Sequence, residues 1–183
     1  MSSINRISPG VFRLAGQIAG RPAVFLLDSG ASSDFVDSSF AARAGLPLRP
    51  SRRAIKLADG TMTYASGLTD ADCRLTAASG TTFNFRSAFY ATKLQGYDAI
   101  LGMTWLTRFD PRIEWSKGQI AVRHSEKDPF RALRPLAPGA AENRYSPAAL
   151  HSLEGIVGRD EMRRIIAAGD VEEIYAMRIH PNS

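Results

Sequence analysis

The sequence predicts an all-β domain, a barrel or sandwich of short strands, followed by a small α/β appendage. Between residues 10 and 125, short apolar or alternating runs recur at close intervals and are separated by turn residues, a spacing typical of antiparallel β folds. One of these runs is apolar at every position, which indicates a strand buried on both faces. After residue 125 prolines recur and the periodicity becomes helical. We therefore place the folded domain at 10–125.

The composition excludes several other classes of protein. The chain has 183 residues, of which 44% are hydrophobic and 22% charged, with a formal net charge of +5; these values exclude a disordered or collagen-like chain. The apolar run at 23–27 is far shorter than the ~20 residues that span a bilayer. No secretory signal is recognisable, and Cys73, the single cysteine, cannot form an internal disulfide. We expect a cytoplasmic protein without membrane contact.

The first predicted elements are a β-hairpin and a short helix. Residues 11–18 alternate loosely, 19–22 supply turn residues, and 23–27 form the buried second strand. This strand stops abruptly at Asp28-Ser29-Gly30. A helix then follows over 38–44, with Asp37 as its N-cap and Gly45 closing it.

A second hairpin is predicted around Asp59-Gly60, because Asp-Gly between alternating segments is the strongest local hairpin signal. A two-residue turn at this point would pair Leu57 with Met62 and Ile55 with Tyr64. All four side chains would then lie on one face of the hairpin.

The remaining elements of the domain follow the same logic. Strands at 68–76 and 81–91 form a third hairpin, and alternation places Cys73 in its buried face. The later elements are a buried run at 99–102, a short helix at 103–109, and strands near 112–115 and 119–122. Trp105 and Trp115 lie in apolar surroundings in the sequence, so we expect both in the core.

The last third of the chain is predicted as a connector. Residues 126–146 are rich in proline and are interpreted as a linker. Ser146-Pro147 opens a helix, and Met162, Ile165 and Ile166 mark a second one. Residues 171–179 form a strand without a predicted partner, which suggests that 147–183 lead to a further domain.

Asp28 is the best candidate for a catalytic residue. It follows a buried strand directly and lies on a tight turn, so rigid backbone holds its carboxylate while small neighbours leave room for a substrate. The alternative is an ordinary aspartate that caps its own loop. Small residues at 31–33 and a second apolar-apolar-glycine element, Ile100-Leu101-Gly102, favour the catalytic interpretation.

Other chemistries lack the residues that they need. The three histidines are far apart, and a single cysteine rules out a zinc knuckle, so neither a metal nor a cofactor is expected. Neither a Gly-x-Ser-x-Gly motif nor a phosphate-binding glycine loop occurs. The basic stretch at 43–56 lacks interleaved aromatic residues and contains prolines, which favours a solvated loop over nucleic-acid binding.

Four segments together resemble one protein family. Residues 26–36, LLDSGASSDFV, resemble the active-site segment of retropepsins, the aspartic proteases of retroviruses and LTR retrotransposons, in particular that of gypsy-type elements. The other similar segments are LADG at 57–60, YDAILGMTWL at 97–106 and IEWSKGQI at 113–120. The resemblance covers about residues 10–123. Residues 173–176, EIYA, are similar to the segment that joins protease to reverse transcriptase in such polyproteins.

The resemblance implies a closed β-barrel half-protease with a flap hairpin and one or two short helices, in which Asp28 is catalytic. It implies that Gly30 offers its carbonyl to the substrate backbone and that Ser29 braces the two active-site loops across a dimer. The further residues that it assigns support the active-site loop (Ala31), form the flap (Ala58, Asp59 and Gly60) or pack behind the catalytic turn (Ile100, Leu101 and Gly102). The implied substrate is a peptide or polyprotein, cleaved in the cytoplasm or within retroelement particles.

Two residues depart from the family pattern. Asp34 stands where relatives often carry a neutral residue, and an inward-pointing carboxylate there would raise the pKa of Asp28. Glu114 precedes Trp115 where an aspartate is more usual, a conservative change.

The chemistry of carboxylates requires a second copy of the chain. Peptide hydrolysis needs one carboxylate to activate water and another group to protonate the carbonyl oxygen, roles that two adjacent carboxylates share through one proton. This chain has one Asp-Ser/Thr-Gly only, since Asp37-Ser38-Ser39 lacks the glycine. A homodimer would bring two Asp28 side chains together at its two-fold axis. The alternative is a retropepsin-derived module that has lost activity and serves as a dimerising, peptide-binding domain.

Overall fold

The computed structural model describes residues 12–57 and 60–136, and the backbone of 171–173. In chain order the elements are β1 (Arg13–Ile18), β2 (Arg21–Leu27), β3 (Phe35–Asp37), α1 (Ser38–Ala44), β4 (Ala54–Lys56), β5 (Met62–Tyr64), β6 (Gly67–Thr76), β7 (Thr82–Thr92), β8 (Ala99–Leu101), α2 (Met103–Phe109), β9 (Arg112–Glu114), a 3₁₀ turn (Trp115–Lys117), β10 (Gln119–Val122), β11 (Arg131–Ala132) and β12 (Val171–Glu173).

Six of these strands form a closed barrel in the order β1-β2-β8-β3-β7-β6, with β6 paired back to β1. The predicted all-β barrel is thereby confirmed. Closure depends on Gly16 of β1, because a Cβ atom there would lie 2.2 Å from the carbonyl oxygen of Arg74 on β6. Any larger residue would hold the two strands apart, so this glycine permits the close backbone approach that seals the barrel.

The long hairpin β6–β7 supplies much of the core. Its residues alternate between buried and exposed positions, as expected for strands with one face packed inward. Cys73 is buried on this face, as predicted. The large inward side chains include several aromatic rings, and Phe83, Phe85, Trp105 and Phe109 pack against one another.

Both predicted helices of the barrel domain are present. The Asp37 carboxylate accepts a hydrogen bond from the Phe40 N–H at 2.8 Å and so caps α1, which ends at Gly45 with a left-handed φ of 67°. Trp105 of α2 is buried, as predicted. The prediction for Trp115 is wrong: its side chain is 73% exposed on the 3₁₀ turn, where it makes an edge contact with the ring of Phe12.

Residues beyond 125 continue to pack on the barrel. Strands β9, β10 and β11 form a three-stranded sheet. Residues 131–136, which belong to the predicted linker 126–146, therefore include a strand. Leu133 is buried, and Leu136 N–H donates to the carbonyl of Arg13. The prolines at 129 and 135, which favoured a linker, flank this strand and do not interrupt its hydrogen bonds. Proline content alone therefore did not distinguish a linker from a short strand.

The hairpin β4–β5, here called hairpin 54–64, has a different register from the predicted one. Leu57 N–H donates to the carbonyl of Thr61, and Gly60 N–H donates to the carbonyl of Leu57, so three residues form the turn instead of two. Lys56 therefore pairs with Met62, the partner predicted for Leu57. A shift of one residue reverses the faces of one strand, so the predicted four-residue apolar face does not form.

The strand predicted without a partner has one. Val171–Glu173 pairs in parallel with Ala54–Lys56, on the edge of β4 opposite to β5. Sequence periodicity indicates that a strand exists but carries no information about a partner more than a hundred residues away.

Several predictions lie outside the described residues. These are the helices predicted after Ser146 and around Met162, and the turn residues Ala58 and Asp59. Within the described ranges, no helix combines the length and apolar character needed to cross a bilayer.

Candidate active site

Asp28 lies at the point where strand β2 leaves the barrel. Its backbone N–H donates to the carbonyl of Leu101 on the neighbouring strand β8, at 3.1 Å. Its carbonyl accepts from the Ala31 N–H at 3.3 Å, which closes a tight turn over residues 28–31. The carboxylate Oδ1 accepts from the Gly30 N–H at 2.8 Å, so the side chain is fixed from within the turn. This turn, 28–31, is called the active-site turn below.

The second carboxylate oxygen of Asp28 is buried and accepts no hydrogen bond from the described residues. Burial raises the pKa of this carboxyl, and the hydrogen bond from Gly30 offsets the rise only in part. The predicted influence of Asp34 is absent, because burial and not a neighbouring charge accounts for the raised pKa. An unpaired, buried carboxylate oxygen is costly and is typical of functional sites, where the missing partner arrives from outside.

The loop that begins at Gly102 supports the active-site turn from behind. Met103 N–H donates to the carbonyl of Ala31 at 2.7 Å. A Cβ atom on Gly102 would lie 2.2 Å from the carbonyl oxygen of Ser33 and 2.6 Å from that of Ala31. Only glycine allows the two backbone segments to approach this closely. The predicted segment Ile100-Leu101-Gly102 thus contacts the turn that carries Asp28.

Asp34 ties these segments together through its buried carboxylate. Oδ1 accepts from the Gly102 N–H at 2.8 Å, and Oδ2 accepts from the Ser87 hydroxyl. Burial is the largest cause that raises the pKa of Asp34, to about 6, while Ser87, Gly102 and the charge of Arg108 act in the opposite direction. The sequence marked Asp34 as a departure from a family pattern but not as the residue that joins β3 to the Gly102 loop.

Asp98 is a second supporting carboxylate, which the sequence indicated only as a member of the family-like segment 97–106 and without a role. It is buried, and Oδ2 accepts from the Val24 N–H of β2 at 2.8 Å. Arg43 lies 3.9 Å from its other oxygen. The position of Asp98 directly before the apolar run of β8 could have indicated this role. An aspartate at the start of a buried strand needs hydrogen-bond partners, and the neighbouring strand is the nearest source of them.

Hairpin 54–64 lies against the active-site turn. Ile55 and the partly buried Leu57 pack in one apolar cluster with Ala31, together with side chains from the ends of β2 and β8. Gly60 is exposed at the tip with φ of +81°, and no atom lies within 4 Å of a Cβ placed there. Its neighbours Ala58 and Asp59, also predicted in the flap, lie outside the described residues.

The other predicted site residues surround Asp28. Ser29 is exposed, Gly30 is half-buried and Ala31 is fully buried. Among the described residues, no group of three or more histidine, cysteine, aspartate or glutamate side chains is placed to hold a metal ion. The arrangement offers one carboxylate on a rigid turn, a supporting loop behind it, and a hairpin beside it.

Known proteins are similar to this chain in family and in fold. Residues 24–128 match the family model described as the PEG10/RTL1 protease domain. The chain is similar to the crystal structure of the retroviral protease-like domain of Ddi1 from Leishmania major, with 18% identity, 72% of this chain and 97% of that chain covered, and a TM-score of 0.52. A retropepsin-like aspartic protease from Rickettsia conorii is 20% identical, with 70% and 84% covered and a TM-score of 0.40. The first of these structures supports the barrel fold.

Proposed function

The chain belongs to the PEG10/RTL1 protease domain family, and from this premise we propose that it is an aspartic endopeptidase active as a homodimer. Each copy contributes one Asp28. The observation that carries the proposal is the buried Oδ2 of Asp28, which has no hydrogen-bond partner among the described residues. A second Asp28 across a two-fold axis, with a water molecule between them, would supply the missing partner.

The proposed mechanism divides two roles between two chemically equal carboxyls. Two carboxylates at close distance hold one proton between them, because both cannot ionise easily. The ionised one takes a proton from water, and the hydroxide formed attacks the peptide carbonyl carbon. The protonated one gives its proton to the carbonyl oxygen, which yields a tetrahedral diol. The carboxyl that took the proton from water then gives it to the amide nitrogen, while the other carboxylate takes a proton from one diol hydroxyl. The C–N bond breaks, and an amine and a carboxylic acid are released with the pair back in its starting state.

The raised pKa of Asp28 supports this division of roles. Burial makes the charged form less favourable, so one proton is retained by the pair at a higher pH than an exposed aspartate would allow. We propose that Gly102 and Ala31 keep the turn rigid, so that the carboxylate does not move out of register during the reaction.

The proposal gives further roles to the residues around Asp28. We propose that exposed Ser29 hydrogen-bonds to the second copy, and that the carbonyl of Gly30 receives a substrate N–H. Hairpin 54–64 would act as a flap over the bound peptide, as expected from the sequence for Ala58, Asp59 and Gly60. Its contact with Ala31 through Ile55 and Leu57 supports this role.

The proposed substrate is a polyprotein of a gypsy-type retroelement, cleaved in the cytoplasm or in retroelement particles. This part of the proposal rests on the sequence segments described above and on the family assignment. Residues 147–183 would then connect the protease to a following domain.

Peptide cleavage by the purified chain tests the proposal. We expect hydrolysis of a mixed peptide library between pH 4 and 7, its inhibition by a statine-type compound, and its loss in Asp28→Asn with the barrel intact. Asn keeps the shape of the side chain but can neither accept nor share the proton. Peptide binding without cleavage in the parent chain would instead support the inactive, peptide-binding dimer. Undiminished cleavage by Asp28→Asn would refute the assignment of Asp28.

A further inference from the structure

The outer edge of β4 is occupied by a segment from the far end of the chain. One side of β4 pairs with β5, and the other pairs in parallel with β12, which sets Val171 beside Ala54 and Glu173 beside Lys56. A sheet edge exposes unpaired backbone donors and acceptors and can therefore accept an added strand. Neither the barrel nor the proposed catalysis explains why this edge is covered.

The backbone hydrogen bonds show which groups face that edge. Leu57 N–H donates to Thr61, and Arg53 accepts from Ala65 N–H, so residues 53 and 57 direct their backbone groups toward β5. Because these groups alternate along a strand, Ile55 also faces β5. The backbone groups of Ala54 and Lys56 therefore face β12.

The parallel register identifies the matching residue of β12. In a parallel pair, a residue donates its N–H to the carbonyl of one residue on the neighbouring strand. Its own carbonyl accepts from the N–H of the residue two positions further along that strand. With Val171 beside Ala54 and Glu173 beside Lys56, that residue is Glu172. Its N–H faces the carbonyl of Ala54, and its carbonyl faces the N–H of Lys56. Glu173 directs its own backbone groups away from β4.

The charges of the two segments are complementary. Residues 170–173 (DVEE) contain three acidic residues, whereas 49–56 contain four basic residues and no acid. Arg49 of this basic stretch is paired with Asp70 on β6. The guanidinium of Arg53 lies over the ring of Tyr90. Irrespective of their individual contacts, Arg52, Arg53 and Lys56 flank or belong to β4 and add positive charge near this edge, which favours an acidic strand over a basic one.

The covered edge belongs to the hairpin beside the active-site turn. Ile55 and Leu57 pack in the cluster that contains Ala31, so a strand added to β4 extends the sheet that lies against the turn. Lifting the hairpin would then require either breaking the β12 hydrogen bonds or moving the added strand with it.

We propose that the outer edge of β4 is a docking site for an extended acidic peptide segment, and that residues 171–173 of the same chain occupy it as a strap that restrains hairpin 54–64. The docking stands on the backbone pairing and the charges alone. The effect of the strap on turnover rests on the proposed function, because it requires the hairpin to open for peptides.

A pair of proline variants of the full chain tests the docking. Glu172→Pro removes the N–H that faces Ala54, whereas Glu173→Pro removes an N–H that faces away; both variants remove one acid and add one proline. Amide hydrogen exchange is measured by NMR in an Asp28→Asn background, so the result does not depend on activity. We expect the Lys56 amide to exchange about tenfold or more faster in Glu172→Pro and less than about threefold faster in Glu173→Pro. The amide of Ile55, which faces β5, is the internal control.

A synthetic peptide distinguishes docking from a general loosening of the hairpin. A peptide of residues 168–176 (AGDVEEIYA) added to the Glu172→Pro chain should restore slow exchange at Lys56, and a scrambled peptide should not. The docking site would be overturned if the Lys56 amide exchanged at the same rate in both variants and the parent. It would also be overturned if the amides of Ile55 and Lys56 both exchanged faster and the peptide did not restore slow exchange. Loss of protection in the parent on dilution would show that a second copy supplies the strand, which would overturn the strap within one chain.

Turnover tests the restraint separately. In the background with Asp28 intact, kcat/KM for a short peptide should be about threefold or more higher in Glu172→Pro than in Glu173→Pro. In Glu172→Pro the hairpin can open without first breaking the hydrogen bonds between β4 and β12. If the Lys56 amide exchanged faster in Glu172→Pro while the two active variants had equal kcat/KM, the restraint would be overturned but the docking would stand. Absence of turnover in every variant, with the exchange result as expected, would contradict the proposed endopeptidase and leave the docking site supported.

Discussion

The buried carboxylate of Asp34 accepts a hydrogen bond from the backbone N–H of Gly102 at 2.8 Å. This bond joins the segment that follows the active-site turn to the loop that supports the turn from behind. Because Gly102 also lies against the carbonyls of Ala31 and Ser33, one short region holds both sides of the turn. The position of Asp28 therefore depends on residues 34 and 102, neither of which would touch a substrate.

Replacing Asp34 with asparagine should stabilise the protein at neutral pH. Asn can accept from Gly102 through its oxygen and donate to the Ser87 oxygen through its amide, so both contacts survive without a buried charge. The pKa of Asp34 is raised to about 6, so the folded state binds a proton more tightly than the unfolded chain. Its ionisation at pH 7 opposes folding by up to about 3 kcal/mol.

The pH dependence gives this prediction its sign. The parent should gain stability as the pH falls from 7 toward 4, and lose it as the pH rises through about 6. The advantage of Asp34→Asn, measured by urea unfolding, should therefore be largest at pH 7 and disappear near pH 4. An advantage that does not change with pH would show that the charge of Asp34 is not the cause.

Replacing Gly102 with alanine should destabilise the fold strongly. The added methyl group would lie 2.2 Å from a backbone oxygen, and backbone cannot move aside as a side-chain tip can, so we expect a loss of about 3 kcal/mol or more. Gly80→Ala is the control: no atom lies within 4 Å of its Cβ position, and φ is +84°. It should cost only about 1–2 kcal/mol, the cost of a left-handed backbone. Equal losses in chemical denaturation would contradict the close packing at Gly102.

The two exposed hairpin turns provide a matched test of the flap. In each, a glycine with φ near +80° donates to the residue three positions earlier, and nothing contacts its Cβ position. Gly60→Val and Gly80→Val should therefore lose similar stability, about 1–2 kcal/mol each. Only Gly60→Val should also lose most of its peptide turnover, because Gly60 belongs to hairpin 54–64, which packs against Ala31 of the active-site turn.

Peptide hydrolysis is measured for both valine variants at a temperature where each is fully folded. If Gly80→Val lost as much turnover as Gly60→Val, the effect would follow from strain alone and the flap role of hairpin 54–64 would be wrong.

Local patterns predicted a barrel or sandwich of short strands and both helices, and the resemblance to retropepsins implied the closed barrel. Strict alternation along β6 and β7 predicted which face is buried, and Asp37 and Gly45 marked both ends of α1 because capping is a local property. The Asp28 turn was visible for the same reason, since a buried strand followed by Asp-Ser-Gly is a contiguous pattern.

Features that depend on distant residues or on turn geometry were not predictable in this way. Asp-Gly fits both two- and three-residue turns, and only the bond from Leu57 N–H to Thr61 decides between them. The partner of β12, the burial of Asp34 against Gly102, and the exposure of Trp115 all follow from how separate segments meet. These long-range contacts leave no periodic signal in the chain.

Mixing active and inactive subunits tests the central claim most directly. Parent and Asp28→Asn chains are refolded together at a constant total concentration and varied ratio, and peptide hydrolysis is measured. If each site needs an Asp28 from both copies, activity falls as the square of the parent fraction, to about one quarter at an equal mixture. A linear fall, to about one half, would mean that each chain acts independently with its own Asp28, and retention of about three quarters would mean that one Asp28 per dimer is sufficient; either result would contradict the shared active site.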